Sequence, residues 1–146
     1  MILGEFSMLG KIGKMLSTEI NLKVRYQETD QMGIVYHGNY FTWFEAARIE
    51  LLDRIECRYL DLEKEGFRLP VITCDAQFLK PAHFDDRLII RALVKAAPRV
   101  RIDIYYEVVR ESILLARGHT CHAFTDCSGT LVRPPKKFLQ AIANAL

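Results

Sequence analysis

The chain has 146 residues, half of them hydrophobic, with 20 basic and 18 acidic side chains and a formal net charge of +2. That length and apolar content suit one domain with a sizeable core. The charge is too small to argue for nucleic acid or a membrane surface, although a local basic patch facing an anionic ligand is compatible with it. Cys57, Cys74, Cys121 and Cys127 form no C-x-x-C pair, so reduced thiols and a cytoplasmic location are expected. No apolar run reaches the roughly 18 residues that span a bilayer.

Residues 1–17 are read as an N-terminal extension and residues 18–146 as a single domain. Phe6, Leu9, Ile12 and Leu16 have the spacing of one helical face, but three glycines weaken such a helix. A frayed segment is the first expectation; an oligomer arm, a membrane-surface helix and a segment upstream of a start at Met8 or Met15 also fit. The lysines follow the apolar run and no small-residue cleavage site comes after it, which argues against a secretory signal.

Ile20 to Tyr26 alternates weakly and predicts a strand. A polar loop follows, E-T-D-Q-M-G-I-V-Y-H-G-N-Y from Glu28 to Tyr40. Tyr40, Phe44, Ala47, Leu51 and Ile55 then recur at helical spacing, so a helix starts near Gly38 or Asn39. Trp43, Ala46, Ile49 and Leu52 widen its apolar surface, which predicts a helix covered on more than one side. Beyond Gly66 the period becomes two. Ile72 to Phe78, Leu88 to Val94, Val100 to Val108 and Leu114 to Phe124 read as strands. They are separated by turns at Pro81–Asp86, Ala97–Arg99 and Arg110–Ser112. Pro134 and Pro135 precede a short helix from about Lys136 to Ala145. Short connections predict an antiparallel meander, and one apolar helix with one large sheet predicts an α+β layer in which the sheet curls around the helix.

The loop before the long helix carries the chemistry. A helix N-terminus presents unpaired N–H groups and partial positive charge. Asp30 stands just upstream, so a base or nucleophile and an anion site come together, as acyl transfer requires. The alternative is that Asp30 and Thr29 only shape the turn and cap the helix. Other polar constellations read as structural. His119 and Cys121 would share one face of a strand while His122 takes the other, so no metal site is expected. His83 and Asp85–Asp86 read as turn residues, Cys74 and Cys121 as strand packing, and Cys57 as the end of the helix. Glu45 is expected to pair with Arg48 or His37.

The string Y-Q-E-T-D-Q-M-G-I-V-Y-H-G-N-Y-F-T-W-F-E-A-A-R resembles the signature of hotdog-fold acyl-CoA thioesterases of the 4-hydroxybenzoyl-CoA thioesterase type. A second stretch, I-T-C-D-A-Q-F-L-K-P-A-H-F-D-D-R-L, fits the same family. The resemblance runs from about Leu22 to Pro134. It implies a five-stranded, largely antiparallel sheet wrapped around one long helix. Asp30 would be the catalytic carboxylate, acting as nucleophile or general base. Gly33 would let the loop turn beside the substrate. The His37 backbone N–H would polarise the thioester carbonyl, and its side chain would bond substrate or water. Tyr36 and Tyr40 would shape the acyl pocket. The resemblance also implies a homodimer with sites at the interface, a tetramer of two dimers, and no metal or organic cofactor. CoA phosphates would lie near the third and fourth strands' turn, where Arg99 and Arg101 are candidates, with Lys136 and Lys137 as weaker ones. Arg101 stands roughly where relatives carry a small Ser or Thr, so a solvated position beside Asp103 is the alternative.

Two other functions are weighed beside acyl-CoA hydrolysis. A hotdog hydratase or dehydratase would show Asp and His five residues apart, whereas Asp30 and His37 are seven apart. A non-catalytic acyl-CoA-binding protein would lack the acid or carry a DNA-binding segment. A short-to-medium aliphatic acyl group and an aromatic one both suit the aromatics around Tyr36 to Phe44, and an acyl carrier protein is a further candidate donor.

Overall fold

A computed structural model describes residues 15–146. Five strands and three helices follow one another as β1 (Leu16–Lys23), α1 (Asn39–Arg54), α2 (Tyr59–Lys64), β2 (Val71–Phe78), β3 (Arg87–Val94), β4 (Arg101–Arg110), β5 (Ile113–Ala123) and α3 (Lys136–Ala145). β1 begins at Leu16, four residues before the expected strand start and two before the expected domain boundary. Its inward positions begin with Leu16 and Thr18, and the polar threonine masks the alternation. Tyr26, read as the end of that strand, opens a 3₁₀ turn, Tyr26–Glu28. The rest of the N-terminal reading, including Phe6, Leu9 and Ile12, lies outside the described residues.

All five strands join one antiparallel sheet, in the order β1-β3-β4-β5-β2. The simple meander is therefore corrected at one place. β2 does not pair with β3; it pairs with β5 at the far edge, Phe78 opposite Ala116 and Cys74 opposite Thr120. The segment 79–86 crosses from one sheet edge toward the other. Short length alone cannot distinguish such a crossing from a hairpin. Being on the edge, Cys74 is exposed rather than packed.

The core lies between α1 and the inner sheet face. Tyr40, Trp43, Phe44, Ala47, Leu51 and Leu52 of α1 are buried against Leu88, Ile90, Ile102, Ile104, Tyr106 and Val108. Phe44 stacks on Tyr106 with centroids 4.5 Å apart. It also sits on Gly118, where an added Cβ would come within 2.2 Å of the Phe44 ring. That glycine sets how closely the helix approaches the sheet. One face of α1 stays uncovered, with Ala46 exposed and Ile49 39 % exposed.

A polar chain threads this core. Arg48 donates to the Tyr106 hydroxyl at 3.0 Å. That hydroxyl shares a hydrogen bond with Thr120 Oγ1 at 2.7 Å, and Thr120 bonds His122 Nε2 at 2.8 Å. Arg48 is thus engaged with the sheet and not with Glu45, which corrects the expected pairing. His122 faces inward while His119 stands on the outer face between Asp103 and Asp75. Cys57 is buried just past α1, its N–H bonded to the Leu52 carbonyl.

Two outcomes follow from this packing. Gly118→Ala forces Phe44 off its seat, and overpacking of this kind costs about 1–3 kcal/mol; urea unfolding measures it. Burial, with the Arg48 charge, lowers the His122 pKa to about 4. The folded state therefore holds a neutral imidazole where the unfolded chain takes up a proton near pH 6.5. Stability is full above about pH 6.5, falls by about 3 kcal/mol as the pH drops toward 4, and levels off below. His122→Gln flattens that slope in unfolding titrations; an unchanged slope would assign it to other groups.

Candidate active site

The loop between β1 and α1 folds back on itself. Thr29 bridges Val35, and the Asp30 N–H donates to the Ile34 carbonyl at 2.9 Å. Gly33 closes the reversal with φ of 77°, and its N–H donates to the Asp30 carbonyl. Apart from its chain neighbours, no atom of the described residues lies within 4 Å of where its Cβ would stand, so the glycine serves the positive φ and not a close approach. One Asp30 oxygen, Oδ1, accepts the Met32 N–H at 2.8 Å. The turn-shaping alternative is thus part of the answer. Oδ2 accepts no hydrogen bond among the described residues, and neither Asp30 nor Thr29 caps the helix, whose N-cap is Gly38.

The crossing segment 79–86 runs beside this loop. Val35 donates to the Ala82 carbonyl at 2.9 Å, Val24 donates to Asp86, and Asp85 donates to Val24. Asp86 holds the far end: Oδ2 accepts the His83 N–H at 2.8 Å and Arg110 at 2.7 Å. Burial pushes the Asp86 pKa up, and those hydrogen bonds with the Arg110 charge outweigh it, leaving the carboxyl below its usual range. The turn reading of Asp85–Asp86 agrees with this geometry.

Between loop and crossing segment opens a cavity of about 530 Å³ lined by Asp30, Met32, Ile34, Val35, His37, Tyr40 and Phe78 to Pro81. Its walls are mostly apolar, and Asp30, His37 and Lys80 are its ionisable members besides Tyr40. The His37 and Gly38 N–H groups, at the entry to α1, have no acceptor among the described residues. The His37 ring lies 4.4 Å from Tyr36 and 6.3 Å from Phe78, centroid to centroid. Tyr40 is buried and packs on Phe78 at 4.9 Å; burial raises its pKa, so it is a neutral wall at physiological pH. Tyr36 is half exposed beside the cavity and not in its lining.

Beneath the loop, Glu28 is 5 % exposed. Its carboxylate accepts the Arg25 N–H at 2.8 Å and the Trp43 indole N–H at 2.8 Å. Burial pushes its pKa up, but these bonds and the Arg25 charge hold the group ionised, below the usual carboxylate range.

Asp30, Gly33, His37 and Tyr40 are therefore gathered in one place, while Arg99 and Arg101 are not. Arg101 pairs with Ala123 in β5, whereas Phe78 pairs with Ala116. Seven residues of strand, roughly 23 Å, separate the two ends. Both arginines are exposed, as are Lys136 and Lys137. Sequence reasoning gave no role to Lys80, Leu79 or Glu28. Lys80 and Leu79 join the site only because β2 is an edge strand whose exit crosses the loop, and no periodicity signals that. Glu28 was legible in one respect: a carboxylate two residues before Asp30 at a helix-facing turn has to find donors.

Comparison with known proteins agrees with this geometry. The sequence pattern of the Thioesterase-like superfamily matches residues 24–142. A Bacillus subtilis relative, named "Putative acyl-CoA thioesterase YneP", is 39 % identical over 74 residues, covering 51 % of this chain and 54 % of its own length. This chain thus spans about half of that relative. The crystal structure of TT1821 from Thermus thermophilus superposes with a TM-score of 0.84 at 32 % identity, covering 88 % of this chain and 99 % of that one. The DHNA-CoA thioesterase of Staphylococcus aureus superposes with a TM-score of 0.83 at 28 % identity, covering 88 % and 89 %. With a five-stranded antiparallel sheet wrapped on one long helix and this match across most of its length, the chain belongs to the thioesterase-like superfamily of hotdog-fold thioester hydrolases.

Proposed function

We propose that this protein hydrolyses a short-to-medium-chain or aromatic acyl-CoA to the free acid and CoA. One observation carries the reading. Among the described residues, a carboxylate oxygen without a partner, on Asp30, and an N–H without an acceptor, on His37, line or border the same largely apolar cavity. A thioester carbonyl gains negative charge under attack, and a fixed N–H at a helix start stabilises it; losing one such donor typically costs about 10²–10³ in rate. Asp30 either attacks the carbonyl carbon, forming a mixed anhydride and releasing the CoA thiolate, or takes a proton from the attacking water. In the first route water then hydrolyses the anhydride and regenerates the carboxylate. Neither route needs a metal or organic cofactor. The aromatic walls Tyr40 and Phe78 suit a flat aryl group as well as an alkyl chain.

The reading includes a homodimer. β2 is an open edge among the described residues, where Ile72 and Phe78 leave an apolar face 43 % and 49 % exposed. Unpaired strand edges of this kind seek another strand. Antiparallel pairing of two β2 strands about a two-fold axis covers that face. It also carries the Arg101 end of a second copy toward the Asp30 end of the first, because the two ends lie at opposite ends of β2. Arg99 and Arg101 then serve CoA phosphates across the interface. A tetramer of two such dimers belongs to the same reading. Among the described residues, no helix is long and apolar enough to cross a membrane.

Thiol release from acetyl- to palmitoyl-CoA and benzoyl-type CoA esters tests the activity. Asp30→Asn is expected to stay folded and lose most turnover; full activity in that variant would exclude the assignment. Arg99→Ala with Arg101→Ala is expected to raise KM for CoA esters severalfold with kcat little changed, and an unaltered KM would remove both residues from the phosphate site. Hydration of a 2-enoyl thioester without thiol release would favour the hydratase alternative, and CoA binding with neither reaction would favour a binding protein.

A further inference from the structure

The buried Glu28 has more connections than a turn residue needs. Its side chain reaches back to the Arg25 N–H and forward to the Trp43 indole in the second turn of α1. Its carbonyl accepts two donors, the Tyr36 N–H at 2.9 Å and Asn39 Nδ2 at 2.7 Å. Residue 28 therefore holds the chain before the loop, the chain after it, and the first two turns of the helix. Asp30 is two residues downstream of this anchor, and the His37 N–H follows directly on Tyr36. The distance between the attacking carboxylate and the polarising N–H is thus set by bonds that converge on one residue.

We propose that Glu28 is a positioning residue for thioester hydrolysis, holding Asp30 and the His37 N–H in register through its bonds to Arg25, Tyr36, Asn39 and Trp43. The proposal rests on the hydrolase reading above and adds to it. The charged form is required for a geometric reason. A carboxylate presents acceptors to both Arg25 and Trp43, whereas an amide turns an NH₂ donor toward one of them. Misplacing reacting groups by about 1 Å can cost on the order of 10² in rate.

The test compares Glu28→Gln, Glu28→Asp and Trp43→Phe with wild type, with rates corrected for the folded fraction. Glu28→Gln is expected to lower kcat by about 10–10² while KM and the affinity for a non-hydrolysable S-alkyl-CoA thioether change less than about twofold. Glu28→Asp, with both acceptors kept, restores most of kcat. Trp43→Phe lowers kcat as well, and less than additively in combination with Glu28→Gln. A Glu28→Gln enzyme with wild-type kcat per folded molecule overturns the proposal, even if its melting temperature falls. A matching loss of thioether binding overturns it too. Amide resonances decide the matter independently of turnover. Glu28→Gln is expected to shift the Met32 and His37 N–H signals, and unchanged signals overturn the positioning role. If wild type releases no thiol from any ester, the hydrolase reading fails, and these two resonances still decide whether Glu28 holds the loop.

Discussion

The seat of Phe44 on Gly118 is the contact on which the rest of the structure depends. A helix lying on a sheet is held off by the side chains between them. Here one strand position carries no side chain, and an aromatic ring fills the space and stacks on Tyr106. The contact lies in the second turn of α1, so it fixes the depth of the helix start as well. The His37 and Gly38 N–H groups, without an acceptor among the described residues, are then held beside Phe78, whose ring lies 6.3 Å from that of His37. A helix standing further from the sheet would lift those groups away from Asp30.

Polar groups in this core are joined to one another and not scattered. Arg48, Tyr106, Thr120 and His122 form a hydrogen-bonded row from α1 through two strands. Burying such groups is costly unless each has a partner, and here the row ends at the Leu69 carbonyl, 3.4 Å from His122 Nδ1. The outer face follows the same rule with ions: Arg91 lies between Glu19 and Glu107, and His119 between two aspartates. Neutral hydrogen bonds line the inner face apart from Arg48; on the outer face Arg91, though buried, meets two carboxylates, and His119 stands partly exposed between its two.

Much of this was legible in the sequence. The 3.6-residue repeat from Tyr40 to Leu51 located α1, the alternation from Leu88 onward located three strands, and Pro135 marked the start of α3. The turn of the loop and its place before the helix were legible because a carboxylate, a glycine and a helix start lie within ten residues of one another. Contacts between distant segments were not legible. Nothing local in Val71–Phe78 says that it pairs with β5 instead of β3, so the part that Phe78 to Pro81 play in the cavity could not be read. Thr18 hid the start of β1 because alternation is judged by polarity, and a buried threonine breaks the pattern. Arg48 read as a solvent-facing helix charge because i, i+3 spacing to Glu45 offers a nearby partner, whereas the Tyr106 hydroxyl it bonds is remote in sequence.

The placement of β2 at the edge also bears on how the chain reaches this state. β2 leaves the ribosome before β3 and β4, yet its one strand partner among the described residues, β5, comes nearly last. β1 waits in the same way for β3, since Leu16 must find Val94. Pairings between such distant segments are slow to form, and a strand awaiting its partner is exposed to association with other chains meanwhile. The cavity inherits this delay. Its floor is β2 and the segment leaving it, so the site cannot be assembled until β5 has been made and docked. A chain truncated before Ile113 would keep Asp30, His37 and Phe78 in its sequence but lack the strand that holds Phe78 to Lys80 in place beside them.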